Sequence, residues 1–190
     1  GSPETAYDPR AGACVASLEL RLAADGTPQL VRDFISLNGT SINCAGGPTP
    51  WGSWLTCEET TEGRQMGWEK DHGYIFEIPA SAEQAVPAVP LKAMGRFVHE
   101  AVAVDPLTGI VYETEDRQLA GFYRFLPKER NVLRAGGTLQ MLAIVGRENF
   151  DTVDGQEVGR ELPVRWVDIR NPDPTALWGE DNNVFAQGFT

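Results

Sequence analysis

The chain has 190 residues and a formal net charge of −11, with 42% hydrophobic and 23% charged residues. It is long enough for one domain with a real core and too apolar to stay disordered. The acidic surplus and the lack of a Lys/Arg cluster exclude a nucleic-acid partner, and no apolar run reaches the ~18–20 residues of a transmembrane helix.

The opening GSPETAYDPR is polar and Pro-containing and does not read as a signal peptide. Ala16–Leu22 (ASLELRL) alternates like a strand, and Asp25-Gly26-Thr27-Pro28 turns it toward a second strand, Gln29–Leu37. WGSWLT alternates next, with Trp51, Ser53 and Leu55 on one face and Gly52, Trp54 and Thr56 on the other. Gly73–Ile78 (GYIFEI) is aromatic and β-branched, and Pro79 ends it. Ser81–Ala85 opens with a plausible helix cap, but Pro87 and Pro90 limit it to about a turn. Glu100–Asp105 and Gly109–Glu113 flank Asp105-Pro106-Leu107-Thr108-Gly109, a strong hairpin signal. Gly121–Leu126, Leu139–Val145 and Val164–Ile169 continue the strands; Glu148–Glu161 reads as an exposed loop, and residues 171–190 as a tail or linker. Short strands with regular turns predict an all-β fold, with sandwich, barrel and propeller all compatible. No repeat of 40–50 residues is legible. The whole chain, 1–190, reads as a single region.

The chemistry concentrates in NCAGGPTPWGSWLTCEET, Asn43–Thr60. A thiol and two carboxylates in Cys57-Glu58-Glu59 offer soft and hard metal ligands at a strand end. Cys57 is the preferred thiolate ligand; Cys14 and Cys44 are left either as a disulfide pair or as small buried residues. A second acidic group follows from the hairpin. His99-Glu100 opens one strand, and Glu113, Glu115, Asp116 and Arg117 end its partner. Alternation puts Glu113 and Glu115 on one face and Thr114 and Asp116 on the other. Such a carboxylate cluster needs a cation, or Arg117, to neutralise it. His72 reads as a turn residue, and Trp51 and Trp54 as packing.

The segments NCAGGPTPWGSWLTCEET, HGYIFEI, GRFVHEAVAVDPLTGIVYETEDR and GFYRFLP, taken together, resemble the PhoX family of bacterial alkaline phosphatases. The resemblance implies a β-propeller with its active site at one end of the central channel. It implies a phosphomonoesterase that uses iron together with calcium, acts on a small-molecule phosphomonoester, and is periplasmic or secreted. It implies Cys57 as the iron ligand, Glu58 and Glu100 as metal ligands, Glu115 and Asp116 as ligands or their supports, and Arg117 as the phosphate contact. Family members are longer, so the expectation is an incomplete propeller lacking a leading segment and a later half. Two other functions fit the same residues: a calcium-dependent propeller hydrolase such as a lactonase, with Glu58, Glu100 and Glu115 around the ion, and a non-catalytic metal-binding propeller fragment.

Overall fold

The computed structural model describes residues 4–175 and 183–189. Ten strands and one short helix, α1 (Val184–Gly188), make up its regular elements apart from three single turns of 3-10 helix. The all-β expectation holds. A long hairpin, β1 (Ala13–Leu22) and β2 (Pro28–Thr40), forms a two-stranded ribbon. Strands β3 (Asn43–Pro48), β4 (Ser53–Glu58) and β5 (Ile75–Pro79) form a three-stranded sheet in chain order. Strands β6 (His99–Val104), β7 (Val111–Glu115), β8 (Phe122–Pro127), β9 (Gly137–Ile144) and β10 (Val164–Asp168) form a five-stranded sheet, again in chain order. All pairings are antiparallel, and none of the three sheets closes on itself.

Local chemistry explains the sharpest turn. The Asp105 carboxylate accepts from the Leu107 amide and the Thr108 hydroxyl, and Gly109 takes a φ of 76° that a side chain would resist. That fixes the register of β6 on β7, with Val104 opposite Val111 and Val102 opposite Glu113. The expected turn of helix at Ser81–Ala85 is absent: the segment is turn and bend, because prolines on both sides deny it length. Glu148–Glu161 is an exposed loop, as expected. The expected tail carries α1 near its end, capped by the Asn183 side chain accepting from the Ala186 amide; Trp178 lies outside the described residues.

The main core joins the two larger sheets, with Leu55, Cys57 and Ile75 packed toward Val102, Tyr123 and Phe125. A smaller core of Tyr7, Leu37, Tyr74, Phe76 and Ile78 ties the N-terminal segment and the ribbon to β5. Strand β3 lies directly against β6, the first strand of one sheet beside the first strand of the other. Glycine makes that approach possible. A Cβ on Gly47 would overlap the carbonyl oxygen of Val102, and one on Gly46 would overlap that of Leu55.

The two sheets share one local device. Asn43 faces Glu58 and Gly46 faces Thr56, so β3 holds one extra residue between those pairs. His99 faces Glu115 and Val102 faces Glu113, so β6 does the same. Each bulge is followed by the same backbone tie, from the Glu59 amide to the Ile42 carbonyl and from the Asp116 amide to the Val98 carbonyl. The two hairpins therefore repeat one unit.

Candidate metal centre

A β-bulge breaks the alternation of a strand and re-aims a side chain. Cys44 and Glu100 sit in the two bulges, and Glu59 and Asp116 are the first residues beyond the partner strands β4 and β7. Because each hairpin is antiparallel, the start of its first strand and the end of its second lie at the same end of the sheet. All four residues therefore come from one end of the two sheets, and the close packing of β3 on β6 sets the two pairs side by side.

The geometry follows. One ligand atom each from Cys44, Glu59 and Glu100 lies within 4.8 Å of the others. The Cys44 thiol donates to Glu100 Oε1 at 3.4 Å. A hydrogen bond with Ala45 pulls the Cys44 pKa down, but burial and contacts with Glu100 and Glu59 outweigh it and hold the thiol above its ordinary value. The Glu59 pKa is raised, first by its side-chain contact with Asp116, then by burial and the Glu100 charge. Acidic groups this close share protons until a cation replaces them. A thiol with three carboxylates is a donor set for a transition metal on the sulfur and a hard cation on the oxygens.

Of the ligands expected from the sequence, Glu100 and Asp116 reach this cluster. Cys57 does not. Strand β4 continues through Glu58, so Cys57 alternates onto the face of Leu55 and is fully buried in the main core. Burial raises its pKa, and the charges of Glu113, Cys44 and Glu100 push it further in the same direction. Glu58 points the opposite way, and its carboxylate is fully engaged. Oε1 accepts from the Ser41 amide at 2.9 Å and lies 2.7 Å from His72 Nδ1; Oε2 accepts from the amides of Gly73 and Tyr74. His72 also faces Asp8 at 3.5 Å, so it is a buried ionic partner rather than a turn residue. Glu115 is turned inward too, accepting from the Gly121 amide and the Tyr123 hydroxyl, both at 2.9 Å. The set of Glu58, Glu100 and Glu115 around one calcium is therefore not assembled. Burial holds the Glu115 pKa above its ordinary value, while the hydrogen bonds from Gly121 and Tyr123, and then the charge of the exposed Arg117, pull it part of the way back.

Cys44 is the residue that sequence reasoning missed, and Glu59, read as a donor within Cys57-Glu58-Glu59, was given no contact of its own. Neither Cys14 nor Cys44 is in a disulfide, and both are exposed, against the expectation of a pair or of buried residues. The signal for Cys44 was present as a repeat. Asn43-Cys44-Ala45 with Glu58-Glu59 matches His99-Glu100-Ala101 with Glu115-Asp116, position for position. Behind the cluster, His99 and Glu113 form a fully buried pair, 3.6 Å apart. Burial lowers the His99 pKa to about 3 and raises that of Glu113 well above its ordinary value.

Among the described residues no helix is long and apolar enough to cross a membrane. No curated protein matches this chain. A solved structure of Pseudomonas fluorescens PhoX in complex with vanadate, a transition state analogue, is similar at 25% identity and a TM-score of 0.46. The match covers 58% of this chain and 28% of that one, so the chain spans well under half the length of that protein. The family model for alkaline phosphatase PhoX matches residues 15–189. The chain belongs to the PhoX alkaline phosphatase family.

Proposed function

We propose that this chain contributes the metal centre of a phosphomonoester hydrolase, with Cys44, Glu59, Glu100 and Asp116 as its ligands. The carrying observation is the convergence of a thiol and two carboxylates within 4.8 Å, with Asp116 against Glu59. The acid surplus of the cluster and the sharing of protons among its members support a cationic occupant. Iron suits the Cys44 thiolate, and calcium suits the carboxylates. Bound there, the metals would polarise phosphoryl oxygens and lower the pKa of bound water.

The chain's own residues supply the rest. Glu59 and Asp116 fix cation positions from opposite hairpins, so the rigid contact of β3 with β6 sets their spacing. Arg117, exposed beside Asp116, suits the equatorial oxygens of a phosphate ester. The buried pair His99 and Glu113 backs the bulge that aims Glu100. In this reading the two larger sheets are blades of a propeller whose first strands face the central channel. Support comes from their chain-order antiparallel meanders and from the hairpin unit they repeat. The periplasm or the medium, where calcium is plentiful, suits such a centre.

Hydrolysis of p-nitrophenyl phosphate by the metal-loaded protein tests the reading. Wild type should turn it over, Cys44→Ala should lose turnover, and Cys57→Ala should keep most of it. Loss in Cys57→Ala with retention in Cys44→Ala would overturn the ligand assignment. Turnover of lactones but not of phosphate esters would favour a calcium-dependent hydrolase of another class. Metal binding without turnover of either would favour a binding module.

A further inference from the structure

Each bulge opens a gap in its ladder at the residue it aims. Asn43 pairs with Glu58 and Gly46 with Thr56, so Cys44 lies between two pairs and belongs to neither. His99 pairs with Glu115 and Val102 with Glu113, which leaves Glu100 in the same position. The ladder is disrupted at a bulge, so its hydrogen bonds alone do not fix the direction of the side chain there.

In both hairpins a side-chain pair spans the gap, on the same diagonal. The Asn43 amide nitrogen donates to the Thr56 hydroxyl at 3.0 Å, reaching from the residue pair before the bulge to the pair after it. The Asn43 carbonyl accepts from the Thr40 hydroxyl, so the amide is held at both ends. In the second hairpin His99 and Glu113 occupy the equivalent positions, and His99 Nδ1 faces Glu113 Oε2 at 3.6 Å. The ring is fixed from behind: Nε2 lies 3.1 Å from the Gly95 carbonyl oxygen, and Phe97 packs on it with ring centroids 3.7 Å apart. His99 Nδ1 and both Glu113 oxygens have no hydrogen-bond partner among the described residues, so each side chain has the other as its polar neighbour.

The residue types differ between the repeats, but the diagonal is the same. Thr56, His99 and Glu113 are buried, and burying polar groups is costly where apolar ones could pack. Their presence at matching positions behind both bulges points to a task beyond filling the core. We propose that the two pairs are positioning ties of the metal centre, with Asn43–Thr56 aiming Cys44 and His99–Glu113 aiming Glu100. The inference rests on the ligand assignment above. Each tie acts through the ligand beside it, as hydrogen-bonded partners behind metal ligands do, and such partners are worth about 10–100-fold in metal affinity.

Cobalt(II) titration of the metal-free full chain tests the ties, read by the thiolate-to-metal band and by the dissociation constant. Thr56→Val keeps the shape and removes the hydroxyl; it should weaken cobalt binding by about tenfold or more, and Thr56→Ser should restore it. Glu113→Met should weaken binding likewise, and Glu113→Gln, which can still meet His99 Nδ1, should restore it. Thermal unfolding of the metal-free variants separates the two roles: a purely structural pair lowers the melting temperature and leaves the cobalt affinity of the folded chain unchanged. Wild-type affinity in Thr56→Val and Glu113→Met overturns the proposal, and so does a loss that Ser and Gln do not restore. If Thr56→Val does not fold, the Glu113 variants decide by the same criteria. A wild-type band that Cys44→Ala abolishes but Thr56→Val and Glu113→Met leave intact sinks the ties alone. Absence of any Cys44-dependent band in wild type sinks the metal centre and the ties with it.

Discussion

Glu58 and Glu59 are consecutive, yet they belong to two different parts of the molecule. Glu58 is sealed in an interior network with His72 and Asp8, where every carboxylate oxygen has a donor. Glu59, one residue past the end of β4, stands in a half-open cluster where carboxylates meet carboxylates and a thiol. Cys57 and Cys44 repeat the contrast, one thiol in the apolar core and the other at the cluster. The lesson is electrostatic. An acid whose charge is already matched by protein donors is structural, whereas acids left to repel one another are the ones a cation would stabilise, which is the basis of the proposed metal centre.

The comparison breaks most visibly under Glu58→Ala. Removing a buried carboxylate strands His72 and three backbone amides, so we expect a loss of about 3–5 kcal/mol in unfolding free energy by denaturant titration. Gly47→Ala should cost about 1–3 kcal/mol, because the added methyl pushes β3 off the Val102 carbonyl, and it should also weaken metal binding by separating Cys44 from Glu100. Unchanged metal affinity in that variant would show that the β3–β6 contact does not set the site. Glu59→Ala should change the stability of the metal-free chain by no more than about 0.5 kcal/mol while weakening metal binding by calorimetry. Equal destabilisation by the Glu58 and Glu59 variants would erase the distinction.

A smaller effect distinguishes the interior network by pH. Burial lowers the His72 pKa, but the hydrogen bond and charge of Glu58, with Asp8, outweigh burial and raise it above 6.5. A raised histidine pKa gives stability that is complete below the unfolded value and is lost as pH climbs through the folded one. Unfolding free energy should therefore fall as pH rises above 6.5, and His72→Gln should flatten that slope. A slope that survives His72→Gln would assign the pH dependence to another group.

Much of the fold was legible. Alternation found β1, β2 and β4 through β10, and the Asp-Pro-Leu-Thr-Gly turn fixed the β6–β7 hairpin. Strand β3 was not legible, because NCAGGP has no β-branched residue and two glycines. It is a strand because those glycines let it lie against β6 and pair with β4. Glu100 and Asp116 were readable as part of an acidic hairpin end. Cys57 stood out beside two acids and drew the ligand role, although the parity of β4 already set it beside Leu55 on the inward face. The one-residue bulges that bring out Cys44 and Glu100 depend on pairing between strands, which no single segment encodes.

Ligation by sulfur tests the central contrast most directly. Cobalt(II) titrated into the metal-free chain and followed by thiolate-to-metal charge-transfer absorption reports which cysteine touches the ion. The account predicts the band in wild type and in Cys57→Ala, and its loss in Cys44→Ala. A band that survives in Cys44→Ala and vanishes in Cys57→Ala would contradict it.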